Sequence, residues 1–122
     1  MQQQRGSGEP RVLSASSICG DPVVNRSGEK LGQIEELMID LEEGRVAYAV
    51  LSFGGFLGIG GKLFAIPFDA LERDGSNQRF VLDAPREKLE SAPGFDKDDW
   101  PDFADRSFGS QLYVYYGVPT YW

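Results

Sequence analysis

The run "VAYAVLSFGGFLGIGGKLFAIP", Val46 to Pro67, decides the fold. Its first part, Val46 to Phe53, is rich in β-branched and aromatic residues and reads as a strand. Alternation puts Val46, Tyr48 and Val50 on one face and Ala47, Ala49, Leu51 and Phe53 on the other, so both faces are apolar. A small sheet with one face in water would alternate apolar with polar residues. Both faces therefore need cover, by closure into a barrel with the tail packed on it or by another subunit.

Phe53 to Pro67 carries five glycines and one lysine, and three readings compete for it. A phosphate loop fails twice. Counting back from Gly61-Lys62, Phe56 stands where the first glycine belongs, and Leu63 replaces the hydroxyl that would hold Mg²⁺. A dinucleotide fingerprint starting at Gly58 also needs glycine at position 63. A membrane helix needs roughly 20 mostly apolar residues. Val46 to Gly61 gives sixteen without charge, five of them glycine, at a cost of about 1 kcal/mol per glycine in a helix. A turn fits. Gly54-Gly55 and Gly60-Gly61 flank "FLGI" between two β runs and let the backbone reverse at both ends of a wide loop. Its apolar tip, Phe56, Leu57 and Ile59, is read as a plug for the barrel end or as a contact for a partner or second subunit.

Working outward, Leu63 to Pro67 is the returning strand. Upstream, Ser14 to Ile18 reads as one helical turn, Val23-Val24 as a short strand, and "NRSGEK" as a turn. Asn25-Arg26-Ser27 matches a glycosylation sequon but is read as part of that turn. Lys30 to Leu41 fits both a helical and a strand period. The hairpin composition of "LEEGR" favours a strand, with a bulge near Glu35-Glu36. Downstream, "PFDALERDG" reads as helical turn and loop, "RFVLD" as a strand, and "REKLE" after Pro85 as a short helix. The expected fold is mainly β, a small barrel with short helical turns over residues 12–91. Residues 1–11 form a disordered polar lead with a cytoplasmic address, and residues 92–122 an aromatic-rich extension.

Composition narrows the function. Nineteen acidic residues against twelve basic give a net charge of −7, which offers no footprint for nucleic acid and disfavours anionic membrane. The chain has no histidine and a single cysteine, Cys19. Histidine-based nucleophile pairs and general bases are therefore excluded, and almost all zinc sites with them. Cys19 has no intrachain partner for a disulfide and is read as a small buried side chain. Glu35-Glu36 and Glu42-Glu43 are adjacent, so strand alternation separates their members rather than forming a catalytic pair. Lys62, beside the apolar loop, is read as a lysine reaching water. The expectation is a binding module without catalytic residues, cofactor or metal.

"GEKLGQIEELMIDLEEGRVAYAVLSFGGFLGIGGKLFAIPFDAL" resembles the PRC-barrel family, named for the cytoplasmic barrel of the photosynthetic reaction-centre H subunit. Phe68 stands where tryptophan is commoner. The tail segments "APGFDKDDWPDFADRSFG" and "YYGVPTYW" are similar to the extension of stand-alone bacterial members. The resemblance implies a barrel of about six strands used as an adaptor. It also implies an alternative role in electron or proton transfer to quinone, as in the H subunit, although no motif assigns relay carboxylates here.

Phe95 to Trp122 holds nine aromatics in 28 residues. Full burial at ~200 Å² each and ~25 cal/mol/Å² gives about 45 kcal/mol as an upper bound. Ordering the segment costs about 42 kcal/mol. The tail can thus order itself on a surface, either its own barrel or a neighbour. Asp96, Asp98, Asp99, Asp102 and Asp105 do not match a calcium loop, since Trp100 and Pro101 interrupt it and Ser107 replaces the closing glutamate. They are read as helix caps and turn residues. Self-association as a homodimer or higher oligomer is expected, beside an unknown protein partner and without a membrane span. Phe56, Leu57, Ile59, Trp100, Tyr116 and Trp122 are expected to line that contact or the intramolecular surface replacing it.

Overall fold

The computed structural model describes residues 11–53 and 62–122. In chain order the elements are α1 (Ala15–Ile18), β1 (Pro22–Val24), β2 (Lys30–Asp40), β3 (Arg45–Phe53), β4 (Lys62–Pro67), β5 (Leu71–Asp74), β6 (Arg79–Leu82), α2 (Arg86–Glu90), β7 (Phe95–Asp96) and α3 (Arg106–Tyr115). The strands form one sheet in the order β5-β6-β1-β2-β3-β4-β7, antiparallel except for the β1–β6 pair. The ladder does not close on itself among the described residues. The sheet still bends around one core, as side chains from opposite ends show: Phe68, just after β4, lies 6.1 Å edge-to-face from Phe80 of β6.

Bulges supply the bend. Ile34 pairs with Leu51 and Glu36 with Val50, so Glu35 is the extra residue near the expected position. A second irregularity pairs Met38 with Tyr48 and Ile39 with Val46, which leaves Ala47 unmatched. This corrects the simple alternation along β3. Ala47, expected beside Ala49, packs instead with Tyr48 in a second cluster. Gly32 is required by proximity, because an added Cβ would strike the Ser52 carbonyl of β3.

The turn after β1 is built on Asn25, a buried polar residue. Its Oδ1 accepts from the N–H groups of Ser27 and Glu29 at 3.2 and 2.9 Å. The β2–β3 hairpin is tied by Asp40, whose Oδ1 accepts from Glu42 and Glu43 N–H. The segment after Pro67 departs from expectation. Phe68–Ala70 is a single 3₁₀ turn, and Leu71–Asp74 is a strand on β6 rather than a loop. Its charged residues sit on an edge, where Arg73 pairs with Asp21 at 2.8 Å and Asp74 with Arg79 at 2.9 Å. Val23, Leu31, Ile34, Ala49, Leu51, Phe64, Ile66, Phe80, Leu82 and Leu89 form the main core.

Candidate interaction site

Three surfaces compete for a role, and the first is the cover over the outer face of β3 and β4. Asp105 caps α3 by accepting from Ser107 N–H, and the helix turns Gly109, Leu112 and Tyr113 inward. Tyr113 is fully buried and donates its hydroxyl proton to the Ala47 carbonyl at 3.0 Å. Its ring meets Tyr48 edge-on at 5.8 Å and Trp122 at 5.1 Å. Gly109 lets the helix approach, since a Cβ there would run into the Tyr48 hydroxyl and lie 2.9 Å from the Trp122 ring. The chain end is clamped further by Tyr121, which donates to Asp40 at 2.6 Å while Arg45 stacks 3.8 Å above its ring. Tyr115 donates to the Lys88 carbonyl at 2.6 Å.

These phenols serve as structural donors. Burial pushes the Tyr113 and Tyr116 hydroxyls well above the ordinary phenol range. Burial, and then the Asp40 carboxylate, raises Tyr121 to about 12. Hydrogen bonds from Tyr121 and the hairpin amides in turn hold the Asp40 carboxyl below its usual range.

The second surface is the β2–β3 hairpin end, where Ile39 and Leu41 are 53% and 90% exposed. The same strand and its turn carry Glu35, Glu36, Asp40, Glu42 and Glu43, with no lysine or arginine from Leu31 to Gly44. The third is a cavity of about 230 Å³ bounded by Arg26, Glu72, Asp83, Lys88 and Tyr116. Arg26 is tied to Glu72 at 3.2 Å and Asp83 at 3.4 Å. The Tyr116 hydroxyl is buried without a hydrogen-bond partner in the described structure.

No three histidine, cysteine or carboxylate side chains converge as metal ligands among the described residues. No helix there is long and apolar enough to cross a membrane.

Set against these surfaces, a family model for the PRC-barrel domain matches residues 10–89, well over half the chain. The chain belongs to the PRC-barrel family. No curated protein matches it. The match ends at Leu89, so α3 and the chain end, which cover this PRC-barrel's outer face, lie beyond the matched residues.

The residues singled out from the sequence separate. Trp100 and Trp122 keep 39% and 37% of their surface in solvent. Trp100 packs on Phe95 and Phe103 while its Nε1–H donates to the Lys97 carbonyl at 2.7 Å. Tyr116 packs inward against both clusters of the barrel, so it belongs to the intramolecular surface. Phe56, Leu57 and Ile59 lie outside the described residues. Sequence reasoning missed the exposed pair Ile39 and Leu41. The signal was present, since the strand reading of Lys30 to Leu41 ends on apolar residues beside five carboxylates.

Proposed function

We propose that this PRC-barrel is a non-catalytic binding or scaffold module working in the cytoplasm through protein–protein contacts. One observation carries the reading. Ile39, Leu41, Trp100 and Trp122 remain exposed on a domain whose described residues already bury two apolar clusters, the outer one under its own tail. The absence of histidine from the sequence and the engagement of Tyr113, Tyr115 and Tyr121 as structural donors support the non-catalytic part.

Self-association belongs to the same reading, with Trp100 and Trp122 on the contact. The second apolar face of β3 does not contribute to that contact, because it is covered within the chain.

The test is affinity purification of the full chain from its native cell, beside a variant carrying Ile39→Ser, Leu41→Ser, Trp100→Ala and Trp122→Ala. Loss of a specific partner from the variant is the expected result. Sedimentation of both proteins reports whether copies pair. Recovery of reaction-centre subunits would favour the quinone-linked alternative. A turnover abolished by changing Lys62 would defeat the reading.

A further inference from the structure

β2 is longer than the strand that flanks it. Over Lys30 to Gln33 it pairs with β1. Ile34 then donates its N–H to the Asp21 carbonyl at 3.0 Å and accepts from Gly20 N–H at 2.7 Å. From Glu35 onward, no described strand lies on that side of β2, while β3 continues on the other side to Asp40. An unpaired edge of this kind is a template for another strand. Proteins usually blunt such edges with lysine, proline, a bulge or a covering segment. β2 carries its bulge at Glu35, the head of this stretch, and from Glu36 to Asp40 the extra residue is on β3 instead. Between Leu31 and Gly44 there is no lysine and no proline.

We propose that the free half of this edge, Glu35 to Leu41, receives by strand addition an extended basic segment of a partner protein, alternating lysine or arginine with apolar residues. The inference rests on the reading of the chain as a protein–protein module and names the partner's chemistry. Exposed Ile39 and Leu41 supply apolar contacts, and Glu35, Glu36, Glu42 and Glu43 supply exposed charge beside them.

Charge also argues against a second copy as the occupant. Antiparallel self-pairing centred on Met38 sets Glu36 against Asp40. Centred on Leu37, it sets Glu35 against Ile39 and Glu36 against Met38, yet still brings the Glu35, Glu36 and Asp40 carboxylates of two copies side by side with no cation among them. Like charges directly opposite destabilise a sheet, whereas a basic strand converts the same positions into attraction and faster encounter.

The test titrates the isotope-labelled full chain with three synthetic nine-residue peptides. The first alternates lysine and valine, the second alternates glutamate and valine, and the third is the lysine peptide with the amides of one edge N-methylated. The lysine peptide is expected to shift the amides of residues 35–41 and to weaken about tenfold between roughly 0.1 and 0.5 M salt. The Glu35→Lys/Glu36→Lys variant, both positions being exposed, keeps the spectrum of the fold and binds the lysine peptide about tenfold less well. The N-methylated peptide binds at least about tenfold more weakly than its parent, because it cannot complete a ladder.

Equal binding of the glutamate peptide, shifts confined to other residues, or undiminished binding of the N-methylated peptide would overturn the proposal. So would concentration-dependent protection of the 37–39 amides in the protein alone together with a dimer mass, which would assign the edge to a second copy. If the peptides fail while a native partner is still lost from the Ile39/Leu41/Trp100/Trp122 variant, this inference falls and the scaffold reading stands. If no native partner is found and a turnover is, both fall.

Discussion

At the scale of single residues, Tyr113 of α3 and Tyr116, which caps its C-terminal end, make opposite predictions from two buried hydroxyls. The Tyr113 hydroxyl satisfies the Ala47 carbonyl beneath the helix. Tyr113→Phe should therefore cost about 1–2 kcal/mol in urea unfolding, since it leaves a buried acceptor unpaired. The Tyr116 hydroxyl is buried without a partner among the described residues. Tyr116→Phe removes only a desolvation penalty, so the same assay should show no loss, or a gain of up to about 1 kcal/mol. A loss above that size would mean that the hydroxyl has a partner in solution. Gly32 tests the sheet itself. Gly32→Ala forces a methyl against the Ser52 backbone, which cannot swing aside as a side chain end would. About 2–3 kcal/mol of destabilisation is expected.

At the scale of elements, α3 and the chain end act as a second layer over β3 and β4. They cover Ala47, Tyr48 and Ala65 with Leu112 and Tyr113, which the main core does not include. Deleting residues 106–122 should remove about 5 kcal/mol or more of stability, comparable with the whole stability of a small domain. The expected outcome in calorimetry is a lost or sharply lowered transition. A truncated protein that melts with the full chain would show that the barrel is stable without its cover. From the sequence, the α3 segment reads only as an aromatic extension with no helix assigned, although Phe108, Leu112 and Tyr115 recur at helical intervals after the capping Asp105. Gly109 and the following Gly117 obscure it. Gly109 looks like a helix breaker in the sequence, yet contact with Tyr48 and Trp122 requires it. Leu71–Asp74 was missed for a different reason. "LERD" has one apolar residue and looks like a loop, but an edge strand needs only one face toward the core.

At the scale of the whole molecule, the phenols tie stability to pH. Tyr121 has an ordinary value of 10 and is raised to about 12 in the folded protein, while Tyr113 and Tyr116 are raised as well. A group whose folded value lies above its unfolded one favours the fold fully below the unfolded value. That contribution is lost as pH rises through the folded value. Stability should thus fall between about pH 10 and 12. Tyr121→Phe should flatten part of this decline in a pH series of thermal melts. An equally steep decline in that variant and in Tyr113→Phe would place the cause elsewhere.

The sequence by itself determined that β3 is a strand buried on both faces, because a run of apolar residues at both parities admits no other stable placement. It determined the bulge at Glu35 less directly, through the conflict between two periods in Lys30 to Leu41. It determined the adhesive character of the tail through its aromatic content. Only the tertiary structure decided what covers the outer face of β3. Hydrophobic burial has no direction, and the same aromatic side chains would gain as much on a neighbouring subunit as on their own barrel. What selects the intramolecular answer is geometry that pattern cannot encode: the Tyr113 hydroxyl reaching the Ala47 carbonyl, Gly109 opening room for Tyr48, and Tyr121 closing on Asp40 across most of the chain. The exposed edge of β2 was decided in the same way. The sequence marks a short β1 but not its partner's reach, and it is the start of this pairing at Gly20 and Asp21, opposite Ile34, that leaves Glu35 to Leu41 without a described strand beside them.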